Sequence, residues 1–167
     1  MDYTQQNLKT AFAGESQARR KYLYFAEKAD REGQPQVARL FRAASEAETV
    51  HARNHLAAMK GIGTTTENLK AAMEGEHYEF TLMYPPFIEQ AAAEKDPGAE
   101  RSFDMANQVE EIHHVLYREA LAAVSKGNAL AEGAYYVCQV CGNTVLGEAS
   151  EICPICGAPR LKFKKVA

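Results

Sequence analysis

Four segments of this chain place a carboxylate on an otherwise apolar helical stripe, and two of them add a histidine one turn later. The motifs are Glu15, Glu48-x-x-His51, Glu76-x-x-Glu79 and Glu110-x-x-His113. A carboxylate that is buried without a partner is strongly destabilising. Because four helices each bury a carboxylate, the pattern predicts that positive charge between the helices stabilises them. A pair of divalent metal ions is the simplest source of that charge. Residues three apart lie on one helix face, so Glu and His at this offset can reach the same metal.

The apolar stripes also predict the architecture of residues 1–133. Steps of three and four indicate four helices, and breaks are expected at Gly33-Gln34-Pro35 and Asp96-Pro97-Gly98. The double proline Pro85-Pro86 is expected to bend the third helix. Each half of this region is a helix with a single Glu followed by a helix with Glu-x-x-His. Di-iron carboxylate bundles use this donor set, so the pattern predicts a four-helix bundle with a two-metal site.

No single one of these motifs is specific for a metal site. A single Glu-x-x-His on a helix is usually a solvated face, and only the coincidence of four motifs on apolar stripes indicates a site. His55, His77 and His114 are not expected to be ligands. If His114 faced inward in place of His113, its partner would be Glu111. Buried tyrosines such as Tyr22, Tyr84 and Tyr117 are most often core residues. Tyr22 lies two turns from Glu15, which predicts a contact with that carboxylate.

The tail, residues 134–167, has a different composition and holds all four cysteines of the chain. They form two knuckles, Cys138-x-x-Cys141-Gly142 and Cys153-x-x-Cys156-Gly157. This pattern predicts a tetrahedral tetrathiolate site, and the spacing alone leaves zinc and iron open. A tail this short builds little core, so the metal is expected to supply folding energy.

Bulk properties exclude several classes of function. A net charge of −3 does not indicate the basic surface that nucleic-acid-binding proteins have. No apolar run approaches the length of a membrane span, and the first residues do not read as a secretory signal. The chain has no G-x-G-x-x-G motif, so nicotinamide chemistry is expected on another protein. We therefore expect a cytoplasmic protein that binds neither nucleic acid nor membranes.

The chain resembles the rubrerythrin family over nearly its whole length. The matching words are AFAGESQARRKYLYFAEKA, EAETVHARNH, ENLKAAMEGEHYEFTLMYPPF, VEEIHHVLY, YYVCQVCGN and CPICGAP. The resemblance implies a mainly α chain, a ferritin-like antiparallel four-helix bundle followed by a small β-rich rubredoxin-like domain. It implies two irons in the bundle and one iron on the four cysteines, without haem or bound flavin. It also implies that one iron moves between His51 and Glu79, and that Tyr22 and Tyr84 lie next to the ligands.

The resemblance further implies a function, reduction of hydrogen peroxide to water. Electrons would come from an external NAD(P)H-linked reductase of the rubredoxin or flavoprotein type, through the tail iron. The path from tail to bundle within one chain is expected to be too long, which favours a head-to-tail homodimer or larger assembly. Two alternatives stay open: a ferroxidase or iron-storage protein with the same bundle, and a non-catalytic metal-binding module with a zinc-ribbon tail.

Overall fold

The computed structural model describes residues 3–166 of the chain. Its contacts divide the chain into two compact units, Met1–Gly63 and Thr64–Ala167, called unit 1 and unit 2 below. The sequence predicts a different boundary, between residues 133 and 134, which separates the helical bundle from the cysteine-containing tail. That domain boundary stays a prediction. No helix among the described residues combines the length and apolar character needed to cross a membrane.

Unit 1 is a pair of long helices, α1 (Tyr3–Arg31) and α2 (Pro35–Ala58). The turn between them uses Gly33 at a φ of 70°, and Pro35 starts α2, where its missing N–H costs nothing. Small residues fill the contact between the helices: Ala26, Ala29, Ala38, Ser45 and Ala52 are all buried. The Ser45 hydroxyl donates to the carbonyl of Arg19 at 2.9 Å, so the one buried hydroxyl in this contact has an acceptor.

The large apolar side chains of unit 1 lie beside this small-residue contact. Tyr22, Phe25 and Phe41 form an aromatic cluster with ring centroids 5.6–6.2 Å apart. Phe25 remains 47% exposed and Val37 43% exposed. The stripe that the sequence predicts as buried is therefore only partly covered, because the two helices pack through their alanines.

Unit 2 begins with three further helices, α3 (Thr65–Tyr78), α4 (Tyr84–Glu94) and α5 (Pro97–Ser125). Thr64 caps α3, and its hydroxyl and the Glu67 side chain form a reciprocal capping box. The segment Glu79–Met83 between α3 and α4 is a π-helix. The sequence predicts one bent helix here. The structure instead widens the turn ahead of the prolines, which then lie in the first turn of α4, where a missing N–H is tolerated.

The rest of unit 2 is a three-stranded antiparallel sheet built from β1 (Tyr135–Cys138), β2 (Thr144–Leu146) and β3 (Phe163–Val166). The strand order is β2-β1-β3, and Tyr136 pairs with Val145 on one side and Lys165 on the other. Strand β2 contacts α5. This contact places one cysteine knuckle beside the helix that carries Glu110 and His113.

Candidate metal centres

Unit 1 brings together Glu15 from α1 with Glu48 and His51 from α2. The Nδ1 atom of His51 lies 2.8 Å from a Glu48 carboxylate oxygen and 3.9 Å from a Glu15 oxygen. The potential ligand atoms of the three residues all lie within 4.8 Å of one another. A histidine and two carboxylates at these distances can hold one ion, and we call this group the unit 1 half-site.

Unit 2 repeats the same arrangement with Glu76 from α3 and Glu110 and His113 from α5. The Nδ1 atom of His113 lies 2.7 Å from a Glu110 oxygen and 3.9 Å from a Glu76 oxygen. We call this group the unit 2 half-site. His113, and not His114, therefore lies beside the carboxylates, while His114 contacts the Met73 carbonyl at 3.0 Å. The two half-sites agree within 0.1 Å in both distances.

The internal repeat extends to the aromatic residues, with one difference at Glu79. Tyr84, Phe87 and Phe103 repeat the cluster of unit 1, with centroids 5.6–6.3 Å apart. Seven positions separate Glu15 from Tyr22 in unit 1, but eight separate Glu76 from Tyr84. The π-helix that begins at Glu79 accommodates the extra residue. The extra carboxylate thus stands where unit 2 departs from the repeat, and unit 1 has an alanine, Ala18, in its place.

The carboxylates of unit 2 carry more negative charge than their surroundings balance. Burial raises the pKa of Glu76 to about 7, and a hydrogen bond and the charge of Glu110 add to the effect. Burial and Glu110 also raise the pKa of Glu79. Burial opposes ionisation of Glu110 as well, but hydrogen bonds from His113 and Glu76 lower its pKa. A cluster in which one carboxylate holds a proton at the expense of another is one that a cation would stabilise.

A threonine of the tail fixes the orientation of His113. The Thr144 hydroxyl donates to the Gly142 carbonyl at 3.0 Å, and its oxygen accepts from Nε2–H of His113 at 2.9 Å. This arrangement leaves Nδ1 as the ligand atom toward the carboxylates. The tail also covers the histidine: the His113 side chain is 26% exposed, against 52% for His51 in unit 1.

Two tyrosines lie close to the unit 2 half-site. Burial raises the pKa of Tyr84, and the charges of Glu79, Glu110 and Glu76 raise it further. The pKa of Tyr117 is raised by burial, then by Glu76 and Glu110. Both hydroxyls therefore keep their protons at neutral pH. In unit 1, Tyr22 packs against aromatic rings, and its expected contact with Glu15 stays a prediction.

The four cysteines of the tail converge as thiols. The Sγ atoms of Cys138 and Cys156 are 3.7 Å apart, and those of Cys141 and Cys153 are 3.6 Å apart. A disulfide would need about 2 Å, whereas a tetrahedral ion with metal–sulfur bonds of about 2.3 Å separates its sulfurs by about 3.8 Å. All four sulfurs lie within 4.8 Å of one another, so the geometry fits one tetrahedral ion.

Backbone geometry prepares these sulfurs for an ion. Gly142 and Gly157 take φ values of 90° and 74°, which turn backbone N–H groups toward the sulfurs. Burial acts to raise the pKa of Cys153, but N–H groups of Cys156 and Ile155 outweigh it and lower the value to about 6. A side-chain donor, the amide of Asn143, lies 3.7 Å from the same sulfur. These donors thus favour the thiolate, the form that binds metal, at Cys153, whereas burial raises the pKa of Cys141 and Cys156.

The expectation that the path from tail to bundle is too long within one chain is wrong for unit 2. Cys141 precedes Gly142, whose carbonyl accepts from Thr144, which contacts His113. A methyl group built on Gly142 would lie 3.6 Å from Val109 of α5, so the knuckle rests on the helix. Sequence reasoning missed Thr144 because no local pattern reports a contact between residues 31 positions apart.

Comparisons with known proteins agree with this geometry. A family model described as Rubrerythrin matches residues 6–121, and one described as Rubrerythrin, rubredoxin-like domain, matches residues 136–164. Rubrerythrin-2 of Clostridium acetobutylicum is 35% identical over 94% of this chain and 93% of its own length. Nigerythrin of Nitratidesulfovibrio vulgaris is also 35% identical, over 96% of this chain and 85% of its own.

Solved structures of nigerythrin in a partially reduced and a fully reduced, all-ferrous state resemble this fold. Each has a TM-score of 0.59 and 32% identity, and the match covers 99% of this chain and 88% of that one. The predicted fold class, a mainly α ferritin-like chain with a small β-rich rubredoxin-like tail, is confirmed.

Proposed function

The chain belongs to the rubrerythrin family, and on this premise we propose that it reduces hydrogen peroxide to water. The reaction takes up two electrons and two protons for each peroxide and releases two waters. We propose that the electrons come from an external NAD(P)H-linked reductase of the rubredoxin or flavoprotein type, in the cytoplasm, and pass through the tail.

The cofactors are a di-iron carboxylate centre and a single iron on four cysteines, and the donors present fit both. Bound at these sites, iron supplies Lewis acidity toward the peroxide oxygens, the electrons that cleave their bond, and a one-electron relay in the tail. We propose that seven residues hold the two bundle irons: Glu15, Glu48, His51, Glu76, Glu79, Glu110 and His113. The four cysteines Cys138, Cys141, Cys153 and Cys156 are proposed to hold the third.

The chain's own residues supply orientation and protons. Thr144 holds His113 with Nδ1 toward Glu110, so the imidazole is positioned before any ligand binds. Tyr84 keeps its proton at neutral pH and lies near Glu79, Glu110 and Glu76. Its hydroxyl can therefore donate a hydrogen bond to a polar ligand at the carboxylates, and we propose it as a proton source for the departing water.

The observation that carries the proposal is the contact between Thr144 and His113. It joins the cysteine knuckle to a proposed ligand of the bundle: Cys141 is covalently linked to Gly142, and two hydrogen bonds then lead through Thr144 to His113. A ferroxidase or iron-storage protein does not need a second redox centre in contact with a histidine ligand of its bundle. A peroxide reductase does, because each turnover must restore two electrons.

The experiment that tests the function compares oxidants. Fully reduced protein, prepared without oxygen, is mixed with one equivalent of hydrogen peroxide or with air-saturated buffer in a stopped-flow spectrometer. We expect both centres to be oxidised faster by peroxide, with two electrons taken up for each peroxide consumed. Faster oxidation by dioxygen, together with the accumulation of ferric mineral when Fe²⁺ is added, would show a ferroxidase instead.

Thr144→Val is expected to slow electron transfer from the tail to the bundle. The substitution keeps the shape of the side chain but removes the hydroxyl that orients His113, and loss of such an orienting partner typically lowers activity by about 10-fold or more. The measurement is the re-oxidation rate of the reduced tail after peroxide is added, with iron content as a check.

Thr144→Ser is the matched control for this substitution, because it keeps the hydroxyl and should stay close to the wild-type rate. If Thr144→Val transfers electrons as fast as the wild type, the hydrogen bond that His113 donates to Thr144 has no part in the relay.

A further inference from the structure

We propose a further metal site in unit 2, where His77 of α3 and His114 of α5 together bind one divalent ion of the zinc and copper class. Glu74 of α3 is proposed as the third ligand from the protein. Neither histidine is a predicted ligand of the bundle centre, and the site lies outside the unit 2 half-site. The inference does not depend on the proposed function, because neither peroxide nor the bundle iron takes part in it.

Helix α5 carries two consecutive histidines with different surroundings. Consecutive side chains differ by about 100° around a helix, and His113 is the one beside the carboxylates. The Nδ1 atom of His114 lies 3.0 Å from the carbonyl oxygen of Met73 on α3. A carbonyl can only accept, so Nδ1 carries the proton and donates it, which leaves Nε2 with its lone pair. Metal-binding histidines are oriented in this way, with one ring nitrogen donating to a carbonyl and the other binding the ion.

A second imidazole lies beside His114. The ring centroids of His77 and His114 are 5.2 Å apart, and the two ring planes are tilted by 40°. With zinc–nitrogen bonds of about 2.0–2.1 Å, two imidazoles on one tetrahedral ion have their ring centroids about 5 Å apart. His77 is exposed, so its ring can turn to face an ion at little cost. The two helices therefore already hold the rings at the separation that a shared ion requires.

An aromatic side chain covers one side of the histidine pair. The ring of Phe80 lies 5.3 Å from that of His77 and 5.6 Å from that of His114, measured between centroids. An apolar neighbour of this kind limits the access of water to a bound ion and restricts the orientation of its ligands. The pair is thus open to solvent at His77 and enclosed at Phe80.

Glu74 provides a carboxylate one helical turn before His77. Residues three apart lie on one face of a helix, so both side chains can reach one ion. The same Glu-x-x-His spacing brings a carboxylate to its histidine in both half-sites. The present partner of Glu74 is Lys70, whose Nζ atom is 3.9 Å from a carboxylate oxygen, and both side chains are exposed. An exposed ion pair of this length contributes little stability, so a bound ion would displace Lys70.

The donors select the class of ion. Imidazole nitrogens suit zinc, copper and nickel, whereas magnesium and calcium prefer oxygen ligands. For a given set of donors, copper and zinc bind more tightly than ferrous iron. Two imidazoles and one carboxylate leave the fourth position of a tetrahedral ion to water. The site is therefore expected to bind zinc from solution while the bundle and the tail hold iron.

Zinc uptake by the iron-loaded full-length protein tests the site, because the donors of the bundle and the tail are then occupied. The protein is dialysed against a series of buffered Zn²⁺ concentrations, and zinc and iron are counted in the same sample. We expect wild-type protein to bind about one zinc per chain beyond any iron that is lost. His77→Gln should lower the zinc affinity by more than about 100-fold, and Glu74→Gln by about 10-fold or more.

Two further variants separate a lost ligand from a disturbed fold. His114→Gln keeps a side-chain N–H group for the Met73 carbonyl but has no imidazole, so it should lose zinc as His77→Gln does while keeping the wild-type iron content. His55→Gln is the matched control, because His55 lies on α2 in unit 1, and it should bind zinc like the wild type. Zinc uptake that His77→Gln leaves unchanged, or zinc that enters only as iron leaves, would overturn the proposal.

Discussion

Replacing Glu110 with glutamine is expected to abolish metal binding in the bundle and, with it, peroxide turnover. Glu110 stands at the centre of the unit 2 half-site, hydrogen-bonded to His113 at 2.7 Å and to Glu76. Glutamine keeps the size of the side chain but removes the charge that a divalent ion needs. We expect the metal affinity of the bundle and the rate of peroxide turnover to fall by more than about 100-fold. Loss of a residue that only hydrogen-bonds to a metal ligand already lowers metal affinity or activity by about 10–100-fold.

Metal content and thermal unfolding both report this substitution. Wild-type protein should gain thermal stability when Fe²⁺ or Mn²⁺ is added, because the ion binds the folded state only, and Glu110→Gln should lose this gain. Glu111→Gln is the matched control. The Glu111 carboxylate follows Glu110 in the sequence but is exposed, so this substitution should leave metal binding unchanged. If Glu110→Gln keeps the wild-type iron content, the assignment of the unit 2 half-site is wrong.

Zinc in place of the tail iron is expected to stop turnover with the reductase while leaving the bundle iron in place. Zinc fits the same tetrahedral thiolate site and preserves the fold of the tail, but it has no redox chemistry. The four sulfurs are already arranged for either ion. We expect a colourless tail, full bundle iron, and a loss of reductase-driven peroxide turnover of more than about 100-fold.

A small chemical reductant separates the relay from the chemistry in this experiment. Such a reductant reaches the bundle without the tail, so the zinc form should still consume peroxide with it, at a rate close to that of the iron form. Reductase-driven turnover that survives the replacement would remove the tail from the electron path. The test uses the full chain, because the tail covers His113 and truncation would expose that half-site.

The helices and the proposed ligands could be predicted from the sequence because both are local. Steps of three and four locate α1, α2 and α5, and the offset of three residues brings Glu48 to His51 and Glu110 to His113. The cysteine knuckles are similarly local, since each Gly follows its second Cys and takes a positive φ.

The rest depends on contacts between distant residues or on the balance of competing packings. The apolar stripe does not reveal that α1 and α2 pack through Ala26, Ala38 and Ser45 and leave Phe25 half exposed. The prolines indicate a disturbed helix, but not that a π-turn at Glu79 would absorb one extra residue. Nothing local predicts that β2 docks on α5 through Thr144, because the pairing partner lies 31 residues away.

The most direct test of this account is the iron content and visible spectrum of protein purified without added metal. We expect about three irons per chain, two in the bundle and one in the tail. The iron–thiolate colour should bleach with the NAD(P)H-driven reductase and return when peroxide is added. A colourless protein with zinc on the four cysteines, or colour that dioxygen restores and peroxide does not, would contradict the peroxide reductase.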